Sequence, residues 1–405
     1  PDPVLGLPGT ESHLVAAAAD PTAPMVLRAA PTEAAAAFAV AAAVSRADNG
    51  DRRGLTALTC PPSATTSWLL GGNTLVGSSA LLTLRNIGST PATVTVRAWD
   101  AIGEVPVSGT ATVVPAGQEV TQALEASVPD AERLAIQVTA TGGQVSPTIQ
   151  TSQLTGLTPA GTSVIAPTAM PALIQLLPGV VLTSTTVDES DPSLVRILNP
   201  GEEATTVTLD LLGENGVTRL TDEAGLVIEA GAVADVSLAG APAGTFTVRV
   251  SAQDPVVAGA MMVRRGSPAP EDPDVPVMDR TWLPAVTPAV TSALTVPAMG
   301  WLVERAVLVI GNDEAENARV TVTAVDATGA VVATQEVLVP ATGSASLEMT
   351  RLGVGSVAVV LESATPVSAA AVATWNDPLG EMIAVLAAQA DPQVERSAAV
   401  TISGS

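Results

Sequence analysis

The sequence predicts an all-β protein built as three tandem immunoglobulin- or fibronectin-like antiparallel β-sandwich repeats of about 113 residues. Three observations carry this expectation. The first is an internal repeat: LLTLRNIGSTPATVTVRAWDAIGEV from Leu81, LVRILNPGEEATTVTLDLLGENGV from Leu194 and AVLVIGNDEAENARVTVTAVDATGAV from Ala306 share one pattern. Their asparagines, Asn86, Asn199 and Asn312, stand 113 residues apart, and the register continues without a gap through Val94, Val207 and Val320 to Gly103, Gly216 and Gly329. The second is periodicity, since apolar residues alternate with polar ones over short runs, as half-buried strands require. The third is punctuation: 33 Gly and 32 Pro are spread along the chain rather than clustered, which suits many short strands joined by turns.

Taken in order, residues 1–22 read as irregular. MVLRAA, AFAVAAAV and LTALTC, within 25–60, read as added strands around a turn at Asn49-Gly50, although the Ala-rich run 34–44 suits a helix equally well. In the first copy, strands are expected at 66–70, 80–86, 92–99, 105–114, 118–124, 133–140 and 147–153, with Leu82, Leu84, Val94 and Val96 facing inward and Thr93 and Thr95 outward. Asn86 and Asn199 sit where a short polar side chain can bond its own backbone and open a turn, followed by Gly88 and Gly201. Glu314 takes that place in the third copy, so a different turn is expected there. Pro147, Pro255 and Pro366 each read as opening the last strand, where a missing N–H costs least. The stretches 154–192 and 267–303 read as extended strands bridging neighbours, and Leu173 to Leu182 and Trp282 to Val296 resemble first strands. The implied division is 1–168 for an N-terminal extension with the first sandwich, 169–279 for the second, and 280–405 for the third with a C-terminal tail.

Charge and composition exclude whole classes of function. With 40 acidic residues against 17 basic ones, all of them Arg, the formal net charge is −23. Nucleic acid is a poor partner for such a chain, because phosphate binding needs clustered cations, and an anionic membrane surface is disfavoured for the same reason. Self-repulsion keeps a chain that is 47% hydrophobic in solution. No apolar run reaches the roughly 18 residues of a spanning helix, so a membrane would be met only through an anchor or signal upstream of Pro1. Cys60 is the single cysteine and reads as a buried small hydrophobe, with an intermolecular bridge the alternative.

Catalytic equipment is scarce. His13 is the only histidine and falls in the irregular N-terminus, leaving little material for a Ser-His-Asp arrangement or a His-based metal site. No phosphate loop or dinucleotide fingerprint is present, no cofactor is implied, and a non-enzymatic role is expected. Asp188-Glu189 with Asp191, Glu271-Asp272 with Asp274, and Asp313-Glu314 with Glu316 are the densest acidic clusters; each reads as a solvated loop, with Ca²⁺ binding the sharper alternative. Five tryptophans stand in for the absent tyrosines. Trp68 and Trp282 fall in what read as first strands and suit packing, whereas Trp99, Trp301 and Trp375 fall near strand ends and are the candidate contacts for a protein or glycan partner.

The run CPPSATTSWLLGGNTLVGSSALLTLRNIGSTPATVTVRAWDAIGEV resembles the core of a secreted or membrane-anchored protein family of unknown function from high-GC Gram-positive bacteria, often encoded beside a cell-wall glycosyltransferase. Cys60, Trp68, Gly71-Gly72 and the strand ending at Asn86 carry the resemblance, over roughly residues 50–105. Abundant Ala, Arg without Lys, and scarce Phe and Tyr agree with a GC-rich genome. The resemblance implies an extracytoplasmic place, in the cell envelope or secreted. A structural or interaction protein meeting an envelope protein is the first expectation, and a glycan-binding accessory of cell-wall polysaccharide synthesis or export is the second.

Overall fold

In the computed structural model, which describes residues 38–109, 111–269 and 272–391, nearly every element is a β-strand. The N-terminal hairpin comprises β1 (Ala42–Ala47) and β2 (Gly54–Thr59), antiparallel from Ala42 opposite Thr59 to Ala47 opposite Gly54. The end of the Ala-rich run is therefore strand, and Gly50, at a φ of 75°, turns the chain where Asn49-Gly50 implied it would. Residues 1–37, with His13, lie outside the described residues.

The first unit contains β3 (Thr66–Leu70), β4 (Ser78–Arg85), β5 (Ala92–Asp100), β6 (Gly103–Val105), β7 (Ala111–Val114) and β8 (Glu119–Ala123). A helical turn, α1 (Leu124–Ser127), leads to β9 (Ala135–Thr141), β10 (Ser146–Thr155) and β11 (Thr158–Ile165). One sheet runs β3–β9–β5, with β6 and β7 sharing the outer edge of β5; the other runs β11–β10–β4–β8. The stretch expected as one strand over 105–114 is thus two short strands, with Val107 buried between them. Leu82, Leu84 and Val94 are fully buried while Thr93 and Thr95 are exposed, as the pleat requires.

The second unit repeats these pairings with β12 (Ala172–Leu182), β13 (Leu194–Leu198), β14 (Thr205–Gly213), β15 (Gly216–Arg219), β16 (Leu226–Ile228), β17 (Val233–Ser237), β18 (Gly244–Ala269) and β19 (Asp272–Pro284). Its sheets run β12–β18–β14, edged by β15 and β16, and β19–β18–β13–β17. The third unit has β20 (Ala289–Thr295), β21 (Arg305–Asn312), β22 (Ala318–Asp326), β23 (Val331–Val339) and β24 (Gly343–Glu348). A 3₁₀ turn (Met349–Leu352) precedes β25 (Ser356–Asp377), β26 (Gly380–Ala387) and β27 (Gln389–Ala390). Its sheets run β20–β25–β22–β23, with β27 on β20, and β26–β25–β21–β24. Equivalent residues keep equivalent partners: Val94 faces Ala140, Val207 faces Ala252 and Val320 faces Ser363.

Two strands serve both sheets of their unit. Strand β18 pairs with β14 as far as Ala252 and with β13 from Val257, and β25 pairs with β22 as far as Ser363 and with β21 from Ser368. Pro255 and Pro366 fall in these crossings, where no ladder needs their missing N–H. In the first unit the same change of sheet is a turn, and Pro147 is the second residue of β10. The sequence expectation that a proline opens each last strand thus becomes, in two copies, a proline at the crossing of one unbroken strand.

The cores are not separate. Met261, Val263, Met278 and Trp282, from β18 and β19, lie in the core cluster of the first unit. Val307, Val309, Ala370, Val372, Ile383 and Val385, from the third unit, lie in that of the second, and Leu55 and Ala57 of β2 lie in that of the third. One sheet of each later unit is therefore buried on both faces. This explains why Val256 to Val263, VVAGAMMV, is continuously apolar rather than alternating. It also corrects the expectation for the run Trp282 to Val296: Trp282 lies on β19 opposite Met261 of β18, and only the later part of the run, β20, opens the third unit.

Candidate functional site

The three candidate tryptophans have different fates. Trp99, near the end of β5, is 2% exposed, its ring centroid 5.2 Å from that of Trp68 at an interplanar angle of 35°. With Leu70, Ala135, Leu198, Val233 and Val257 the two rings fill the seam between the first and second units. The expectation of Trp99 as a contact residue is therefore corrected: Ala98 turns into the first unit's own core while the second unit covers Trp99 on the other face of β5, so no ring face is left for a ligand.

Trp301 and Trp375 come together. Trp301 lies between β20 and β21 and is 54% exposed. Trp375, on β25 opposite Met382, is half-buried beneath the Arg46 guanidinium, whose carbon sits 3.6 Å from the ring centroid. Arg46, on β1, also donates from Nη1 to the Trp301 carbonyl at 3.1 Å and from Nε to Asp48 at 2.8 Å. On the other side, the Glu304 carboxylate accepts from the Asn376 main-chain N–H at 3.1 Å and from its Nδ2 at 2.9 Å. The result is one surface patch: an exposed indole, a second indole capped by a cation, and a fringe of Asp48, Glu304 and Asn376. It offers an apolar face and oriented donors and acceptors, which is equipment for binding. No sequence signal joined Arg46 to these rings, because the contact is made across 255 residues by the docking of the N-terminal hairpin.

A second assembly, in the interior, was also invisible in the sequence. Asp279 on β19 is buried, and its Oδ2 accepts from the Ile383 N–H of β26 at 2.8 Å and the Leu55 N–H of β2 at 3.3 Å. Burial lifts its carboxyl from the ordinary 3.8 to about 7, against the opposing pull of those N–H groups and of Arg53. Around it, buried Arg53 binds Asp377 at 2.6 Å and the Gly380 carbonyl, Arg280 binds Asp191 at 3.0 Å and the Ala160 carbonyl, and Arg264 binds Glu381 at 2.6 Å. Gly54 is forced by this packing. At a φ of 154°, a Cβ there would stand 2.5 Å from Asp279 Oδ1. These charges tie β2, β19 and β26 together at the meeting place of the three units.

The repeat asparagines are structural. Asn86, Asn199 and Asn312 are fully buried, and each donates Nδ2 to the carbonyl four residues on, Thr90, Glu203 or Glu316, at 2.7–2.8 Å. Each also accepts at Oδ1 from the N–H two residues on, Gly88, Gly201 or Glu314, at 2.9–3.0 Å. The different turn expected at Glu314 is thus not found. Neither Gly88 nor Gly201 has a left-handed φ, so the turn does not require glycine, and Glu314 forms it with a side chain.

Of the acidic clusters, Glu189 pairs with Arg265, Asp191 with Arg280 and Asp313 with Arg249, so these carboxylates face arginines rather than a common point. Among the described residues no group of three or more His, Cys, Asp or Glu is placed to hold a metal ion; Glu271 lies outside them. Cys60 is exposed just beyond β2, where a buried hydrophobe was expected. Among the described residues no helix is long and apolar enough to cross a membrane.

A family model described as a family of unknown function, DUF5719, matches residues 15–350. The chain belongs to this family. The match spans the hairpin, the first two units and the third as far as the 3₁₀ turn, so the DUF5719 region includes Arg46, Asp279 and Trp301 and stops before Trp375. No curated protein matches the DUF5719 chain. Among solved structures, dimeric latent PorU from Porphyromonas gingivalis aligns at 12% identity and a TM-score of 0.16, covering 80% of this chain and 34% of that one. A score of this size carries no inference about fold or role.

Proposed function

We propose that this protein is a non-enzymatic interaction protein of the bacterial cell envelope, three immunoglobulin-like sandwiches locked into one scaffold that presents the Trp301 patch to an envelope protein. The threefold recurrence of strand pairings supports the sandwich assignment, and the merged cores support a scaffold rather than flexibly linked modules. The observation that carries the functional reading is the contrast among tryptophans. Trp68, Trp99 and Trp282 are 4%, 2% and 7% exposed, whereas Trp301 is 54% exposed amid polar groups. Leaving so large an apolar ring in water forfeits burial energy of roughly 2–3 kcal/mol, which docking recovers, and Trp is enriched among the residues that dominate interfaces. The resemblance in the CPPSATTSWLLGGNTLVG run supports the extracytoplasmic place.

The polar fringe of Asp48, Glu304 and Asn376 beside an indole favours glycan binding as the second reading. Affinity capture from envelope extract, with bound proteins identified by mass spectrometry, and a binding assay on purified cell-wall glycan separate the two. In both, Trp301→Ala is compared with the unaltered chain. Loss of one specific protein in the variant supports the first reading. Glycan binding that disappears with Trp301→Ala gives the lead to the second, and indifference of both assays to the substitution removes the patch from the function.

A further inference from the structure

The third unit departs from its siblings along one edge. In the first two units the outer edge of the sheet is broken into short strands, β6 with β7 and β15 with β16, a common way of protecting an edge from foreign strands. In the third unit the same place is taken by β23, unbroken over nine residues, VVATQEVLV, and among the described residues paired only with β22. Its inward side chains are spent: Ala333 and Val337 pack on the core and Val339 is buried. Its outward side is open, with Leu338 53% exposed, and near its start Val331 is 57% exposed. Glu336 is its single charge and no Pro interrupts it; the only register shift lies at its first end, opposite Ala324 and Val325. Such an edge offers a row of main-chain donors and acceptors to another strand.

We propose that β23 is a homodimerisation edge, pairing antiparallel with β23 of a second copy about a two-fold axis at Gln335. The residue pattern selects this occupant. Centred on Gln335, the register overlaps the whole strand, sets Val331 against Val339, Val332 against Leu338 and Ala333 against Val337, and sets Glu336 against Thr334 so that no charge faces a like charge. The two sheets β20–β25–β22–β23 then become one continuous sheet across both copies. Each copy carries a net charge of −23, so long-range repulsion opposes the pairing and added salt strengthens it, the reverse of a contact driven by opposite charges.

The test is sedimentation equilibrium of the full chain over a range of concentrations at low and at physiological salt. A monomer–dimer equilibrium that tightens with salt is expected. Leu338→Lys, at a site exposed in the single chain and so without effect on melting at concentrations where the chain is monomeric, should weaken the dimer about tenfold, because the two-fold axis uses that position twice. In a Cys60→Ser background, Gln335→Cys should give a disulfide-linked dimer on mild oxidation, whereas Thr334→Cys should not. A chain that stays monomeric at every concentration and salt overturns the proposal. So does a dimer that ignores Leu338→Lys and is not trapped through position 335. A monomer whose β23 amides gain exchange protection only with envelope extract assigns the edge to a foreign strand, and self-pairing falls.

Discussion

Replacing Asp279 by Asn should make the protein gain stability relative to the unaltered chain as pH rises. In the folded protein burial holds the Asp279 proton up to about pH 7, whereas the unfolded chain releases it near 3.8. Between those values the folded state binds one proton more than the unfolded state, so raising the pH favours unfolding by about 1.4 kcal/mol per unit. Below 3.8 both states are protonated and the term vanishes; above 7 both are ionised and the full penalty, about 4 kcal/mol for about three units, is in place. Asn cannot ionise, and its side-chain oxygen can still accept from the Leu55 and Ile383 N–H groups. The isoelectric point near 4.2 makes the acid end of this window poorly soluble, so urea titrations of both proteins should run from pH 5 to pH 8. The difference in unfolding free energy should shift toward the variant by about 3 kcal/mol across the two units between pH 5 and pH 7, then level off. A difference that stays constant over that range would refute the buried, proton-holding carboxylate.

Three further outcomes are expected. Val94→Asp puts a carboxylate at a fully buried position of the first unit and should cost about 4 kcal/mol or more, visible as an early thermal transition; an unchanged melt would overturn the strand assignment. Asn199→Ala removes the buried amide that binds the Glu203 and Ile228 carbonyls and the Gly201 N–H, and should cost about 3 kcal/mol by urea unfolding. Trp99→Ala should cost about 3–5 kcal/mol and Trp301→Ala under about 0.5, so melting curves alone separate the packing ring from the surface ring.

How far the sequence could be read depended on the range of each interaction. The expected strands 66–70 and 92–99 lie within one residue of β3 and β5, because alternation is a property of neighbouring residues. Where two faces are buried the alternation disappears. The run 256–263 and its counterpart in β25 therefore gave no hint that they pass from one sheet to another, and Trp282 was assigned to the wrong unit. The candidate site was half legible. Trp301 and Trp375 stood out as rings near strand ends, but their union through Arg46 depends on where the hairpin docks. Trp99 looked the same as they did, and only the second unit's position made it a buried residue.

The sequence by itself determined an all-β chain, the 113-residue spacing of Asn86, Asn199 and Asn312, the inward faces of single-faced strands and the turn-forming role of Asn86 and Asn199, since each follows from contacts within a few residues or from the pleat; that Asn312 forms the same turn was decided by the structure. Only the tertiary structure decided which tryptophan meets solvent, that the cores of the three units merge, and that Asp279 of β19 is buried against β2 and β26. The physical reason is common to all three. Solvent exposure and the local dielectric are set by whatever covers a residue, and here the covering elements come from another unit or from the N-terminal hairpin, far away along the chain.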